Sequence, residues 1–94
     1  MISLIATLRV KEGKMDEAMA ILKKAVPEMR KNEPGCLEYI PHTVKEDPQA
    51  IVFYEKYKDE DALATHSTNL PQTLGELFPL LEPGMDVKTC MEIL

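Results

Sequence analysis

The chain has 94 residues, 45% hydrophobic and 29% charged, with a formal net charge of -5, the profile of a single small globular domain over residues 1–94. Its basic residues are scattered and outnumbered, so there is no clustered positive patch for phosphates, and nucleic acid is excluded as a partner. No run approaches the ~18 apolar residues that a membrane span needs, and the opening MISLIATLRV lacks the basic flank and length of a signal segment, so the expected location is the cytoplasm, with no membrane contact.

From Ile2 to Val10 the residues alternate. Ile2, Leu4, Ala6, Leu8 and Val10 point one way, and Ser3, Ile5, Thr7 and Arg9 the other. This predicts a strand with one wholly apolar face and one mixed face. A turn around Gly13 follows. Met15, Ala18, Met19, Leu22, Ala25, Val26 and Met29 then recur at helical spacing, which predicts a helix ending by Asn32 or Glu33, ahead of Pro34-Gly35. Pro27 lies off this stripe, toward solvent, as do Lys23 and Lys24.

Cys36 to Val44 reads as a second strand, and Pro41 within it argues for a sheet edge or a bulge. Lys45 to Gln49 reads as a turn built on Asp47-Pro48, and Ala50 to Lys58 as a third strand, so the two strands form a hairpin. Asp59 then offers an N-cap carboxylate, with Glu60 and Asp61 suited to the first turn of a short helix. Ala62, Leu63, His66 and Leu70 share one face of that helix, which aims an imidazole inward. Leu70 to Leu81 suggests a second helical piece, with Pro71 at its start and Pro83-Gly84 closing it. Val87 to Ile93 alternates as a last strand.

The order strand, helix, strand, strand, helix, strand is the βαββαβ plan of a ferredoxin-like α+β domain. Its four-stranded antiparallel sheet carries two helices on one face. A chain this small buries a modest core, and the uncovered sheet face carries Ile5. Two sheets packed face to face would cover it, so a homodimer through sheet faces is expected.

Several chemistries leave no trace. There is no GxGxxG and no Walker-type loop, so no nucleotide cofactor is indicated. Two histidines without HxxxH or HExxH spacing give no metal site. Cys36 and Cys90 stand alone, without CxxC, and read as buried fillers.

Four segments in combination resemble the antibiotic biosynthesis monooxygenase family of dimeric α/β-barrel proteins: KEGK before the first helix, EPGCLEY at residues 33 to 39, FYEKYKDEDALATH at residues 53 to 66, and the short last strand. The resemblance covers essentially the whole chain. It implies an apolar cavity between sheet and helices, a histidine at position 66, and a function drawn from cofactor-free oxygenases of phenols and quinols, haem-degrading enzymes, an isomerase, and members without assigned activity. The haem-degrading branch has an Asn on strand 1, a Trp on the short helix and a later His. Here the strand position is Ala6, the chain has no Trp, and no histidine follows His66, so the resemblance does not extend to haem degradation.

Within this frame His66 is either a general base in an apolar pocket or a core histidine bonded to Glu55 or a backbone carbonyl. Glu55, in the row between Phe53 and Tyr57, either orients His66 or pairs across strands with Arg9 or a lysine. Tyr39, Tyr54 and Tyr57 either contact a small apolar or aromatic substrate or serve packing. His42 reads as surface. The expected activity is cofactor-independent oxygenation of a small quinol or phenol with His66 as base. The alternatives are an isomerase using the same base on a carbonyl metabolite, and a non-catalytic dimeric small-molecule-binding protein.

Overall fold

The computed structural model describes residues 1–94. Six principal elements follow the expected order: β1 (Ile2–Val10), α1 (Met15–Asn32), β2 (Cys36–Val44), β3 (Asp47–Tyr57), α2 (Glu60–Thr73) and β4 (Leu81–Met91), with one 3-10 turn at Phe78–Leu80 before β4. The strands form one antiparallel sheet in the order β2-β3-β1-β4. This is the ferredoxin-like α+β arrangement. No helix is long and apolar enough to cross a membrane.

Alternation decides which side of the sheet is core. Ile2, Leu4, Ala6, Leu8 and Val10 are all buried, and the first four pair with Tyr57, Glu55, Phe53 and Ile51 of β3, which are buried on the same face. The stripe of α1 covers this face through Ala18, Leu22 and Met29. β2 is an edge strand, which lets Pro41 sit in it without removing a ladder bond from a central strand. A register shift between Cys36 and Glu38 places an irregularity at Leu37. Cys36 and Tyr39, three residues apart, are therefore both buried.

Three boundaries depart from expectation. Asp47-Pro48 is not the hairpin turn; Lys45-Glu46 is, and β3 begins at Asp47. The Asp47 carboxylate accepts the backbone N–H of Gln49 at 3.1 Å and the Arg9 guanidinium at 2.9 Å, so its turn chemistry serves the strand end instead. Pro71 does not start a new helix but lies inside α2. It is exposed, so the Ser67 carbonyl it leaves without a donor can meet water. Pro83-Gly84 does not end a helix but forms a bulge in β4. Gly84 adopts φ 94°, and the pairing with β1 shifts between Leu8 and Val10. A left-handed glycine is what a bulge of this kind requires. The last strand consequently begins at Leu81, well before Val87.

Candidate functional site

β3 ends one residue pair before α2 begins, and the Asp59 carboxylate caps the new helix by accepting the N–H of Ala62 at 2.8 Å. The cap fixes the phase of α2, and His66, one turn beyond Ala62, turns toward the sheet. It is 4% exposed. The imidazole lies between Tyr39 and Tyr57, with ring centroids 5.1 and 5.3 Å away.

Two carboxylates flank the ring. Nδ1 is 3.0 Å from Oε1 of Glu33, and Nε2 is 3.8 Å from Oε1 of Glu55. In the Nδ1–H tautomer this contact is a hydrogen bond donated by Nδ1 to the Glu33 oxygen. The Tyr57 hydroxyl donates to the same Glu55 oxygen at 2.7 Å. Glu55 thus stands between tyrosine and histidine on a central strand, across from Leu4 on one side and Tyr39 on the other.

Burial pushes the Glu55 carboxyl above its ordinary range, opposed by the Tyr57 hydrogen bond and by electrostatic attraction to the His66 ring. Burial also pushes both the Tyr39 and Tyr57 hydroxyls up, with the Glu55 charge adding to each. Both phenols therefore stay protonated and keep an O–H to donate. The Cys36 thiol is pushed up to about 11, by burial first and then by the charges of Glu33 and Glu55.

His66, Glu55 and Tyr39 face a cavity of about 180 Å³. Its apolar walls come from β1 (Leu4, Ala6, Leu8), from Phe53, and from Leu70, Leu74 and Leu77 beyond the middle of α2. Phe78, Met85 and Val87 line it too and are exposed, so they mark its mouth on the β4 side. A larger groove of about 300 Å³ runs between α1 and β2. Its one titratable ring, His42, is exposed, with Nδ1–H donating to the Val52 carbonyl at 3.3 Å. That groove has no acid–base pair, so the chemistry concentrates in the smaller cavity. No group of three or more His, Cys, Asp or Glu side chains is arranged to hold a metal ion.

The five residues singled out from the sequence divide. His66, Glu55 and Tyr39 come together at the cavity. Tyr57 joins the cluster through its hydroxyl but does not line the cavity; it is fully buried and bonded to Glu55. Tyr54 lies on the opposite sheet face, paired with Ile5 and Ile40 and half-buried. Arg9, one suggested partner of Glu55, instead pairs with Asp47 at 2.9 Å.

One member escaped the sequence reading. Glu33 is 3% exposed and supplies the closest contact to His66. The sequence marks it as a helix end and as the first residue of the EPGCLEY segment, and neither places it beside His66. The available signal was its place: an acid just past the C-terminus of α1, where the helix dipole disfavours negative charge.

A family model described as antibiotic biosynthesis monooxygenase matches residues 1–72, which include Glu33, Glu55 and His66. No curated protein sequence matches the chain. Solved structures do. A conserved protein of Methanosarcina mazei is 26% identical with a TM-score of 0.83, covering 95% of this chain and 89% of its own. An antibiotic biosynthesis monooxygenase is 23% identical with a TM-score of 0.88 over 100% of both chains. A protein of Pseudomonas aeruginosa is 22% identical with a TM-score of 0.82, covering 99% and 94%.

Proposed function

This chain belongs to the antibiotic biosynthesis monooxygenase family, and we propose that it oxygenates a small aromatic quinol or phenol, with His66 as general base and no bound cofactor. The observation that carries this reading is the imidazole itself. Its Nδ1 is held by Glu33, and its Nε2 lies on the side of Glu55, whose carboxylate lines the cavity.

His66 Nε2 takes the hydroxyl proton of the substrate, and the nearby Glu55 carboxylate stabilises the imidazolium that forms. The resulting phenolate passes one electron to O₂. The radical pair joins at a ring carbon, and the peroxide takes the proton back from His66. Cleavage of the O–O bond with loss of the ring hydrogen leaves a carbonyl and one water. One quinol and one O₂ thus give one hydroxyquinone and one water, and one phenol and one O₂ give one quinone and one water. Tyr39 faces the cavity and makes no side-chain hydrogen bond in the protein, whereas the Tyr57 hydroxyl is committed to Glu55. Tyr39 is therefore the donor to the developing oxyanion.

Size narrows the substrate. A cavity of ~150 Å³ holds benzene, so about 180 Å³ fits one aromatic ring with small substituents. The apolar lining suits a neutral ring that is deprotonated only once inside.

The protein works as a homodimer in this reading. Met85, Val87 and Met91 lie on the helix-side face of β4 yet are exposed, and Ile5 and Ile40 are exposed on the other face. A second copy packed on these surfaces would remove them from water. Both cysteines are free, which fits the expected cytoplasmic location.

A second reading keeps the same residues. A base beside a phenol donor also suits proton removal and return next to a carbonyl, which gives an isomerase. The deciding experiment offers the purified protein a panel of single-ring and naphthalene-type quinols while following O₂ uptake. In parallel it follows solvent deuterium incorporation into small carbonyl compounds. Catalysed O₂ uptake supports oxygenation. Deuterium exchange without O₂ uptake supports the isomerase. Neither, with a ligand-filled cavity, leaves the binding-protein alternative.

A further inference from the structure

We propose that Glu33 is a positioning residue that locks His66 in the Nδ1–H tautomer, and that the Glu33-Pro34-Gly35 turn is the device that delivers it. The role in turnover rests on His66 being the base; the tautomer lock does not.

Glu33 occupies a place that physical chemistry disfavours twice over. It follows the last residue of α1, its backbone N–H bonding the Met29 carbonyl at 3.0 Å. Negative charge there faces the negative end of the helix dipole. It is also 3% exposed, and a buried carboxylate loses hydration that hydrogen bonds must replace. Only Oε1 has a partner, Nδ1 of His66; Oε2 is buried without one. A surface acid at a helix end would turn outward into water. This one turns inward to a single group, the imidazole.

The turn enforces that direction. The Glu33 carbonyl accepts the N–H of Cys36 at 2.9 Å, and the Gly35 carbonyl accepts the N–H of Lys58 at 3.0 Å. The first bond closes the turn; the second pins it to the end of β3. Gly35 then packs directly on Ala62, one turn before His66 on α2. Both partners of the Glu33–His66 bond are thereby set by the same tight contact. The consequence is chemical. With Nδ1 donating to Glu33, the proton-accepting lone pair is on Nε2, the nitrogen nearer the cavity-lining Glu55. Without Glu33, neutral imidazole would revert toward the Nε2–H form, whose lone pair faces away from the cavity.

The test is the ring nitrogen shifts and their proton couplings for His66, read by NMR on the full chain at neutral pH, with His66→Gln used for assignment against His42. The wild type is expected to show Nδ1–H, and Glu33→Ala to show the Nε2–H form as the major species. Nε2–H in the wild type, or Nδ1–H persisting in Glu33→Ala, would overturn the proposal. Should Glu33→Ala fail to fold, the wild-type spectrum still decides between Nδ1–H and Nε2–H. In turnover the variant is expected to lose about tenfold to a hundredfold in kcat with little change in KM, the scale seen when the hydrogen-bond partner that orients a metal-ligating imidazole is removed. If the tautomer changes as stated but no substrate is turned over, the oxygenase reading fails and the lock stands.

Discussion

Gly35 and Ala62 approach so closely that a Cβ on Gly35 would lie 2.6 Å from the Ala62 Cβ. Real methyl groups do not reach that distance, and neither atom is the far end of a flexible side chain. The contact joins the turn after α1 to the first turn of α2, and so sets Glu33 against His66.

Gly35→Ala should therefore destabilise the fold by about 1–3 kcal/mol, the cost of overpacking a well-filled contact. Ala62→Gly in the same chain should recover part of that loss despite the helix propensity it gives up. Urea denaturation of the two single variants and the double variant gives the coupling directly. Independent, additive effects would show that the two residues do not share a steric contact.

Glu55→Gln should change how stability depends on pH. Burial raises the Glu55 carboxyl above its ordinary value of 4.5 in the folded state. Between the ordinary and the raised value the native state holds more protons than the unfolded one, so Glu55 lowers stability progressively as pH rises through that window. Glutamine has no such titration and still accepts the Tyr57 hydrogen bond. The variant should gain stability relative to wild type as pH rises from below 4.5 to neutrality, measured by denaturation at a series of pH values. A constant difference would mean that Glu55 titrates as an ordinary surface acid.

The two cysteines should react differently. The Cys36 thiol is 6% exposed and pushed up to about 11, so little thiolate is present near neutral pH. A thiol reagent should leave Cys36 unmodified in the native protein and label it only on unfolding, as peptide mapping would show. Native labelling of Cys36 at the rate of Cys90 would contradict the burial described.

Pro27→Ala should stabilise the protein by about 1–2 kcal/mol. Pro27 is exposed in the interior of α1, where it removes the bond to the Lys23 carbonyl, and alanine restores it. Part of that gain is offset because alanine also frees the unfolded chain. Thermal unfolding would read the difference as a raised Tm.

What the sequence disclosed follows from which signals are periodic. The alternation in Ile2–Val10 and the stripe from Met15 to Met29 mark their elements because burial acts on every second residue, or on every third and fourth. The inward turn of His66 was legible from the Asp59 cap and the spacing of Ala62, Leu63 and Leu70. Prolines misled because their effect depends on surroundings: Pro71 is tolerated inside α2 on an exposed face, and Pro83-Gly84 makes a bulge at a sheet edge. Tyr54 and Tyr57 lie three residues apart, and a strand places residues an odd number apart on opposite faces, so Tyr54 cannot share the site face of Tyr57. Glu33 was missed because its partner is 33 residues away, a pairing made by the fold and by no local pattern.

The most direct test of the central claim is O₂ consumption by wild type and by His66→Ala on the best single-ring quinol, with circular dichroism confirming that both are folded. If His66 is the base, the variant should lose about 10²–10⁴-fold in kcat/KM, the usual worth of a positioned general base. A folded variant that consumes O₂ at the wild-type rate would contradict the account and return His66 to the role of a buried, hydrogen-bonded core residue.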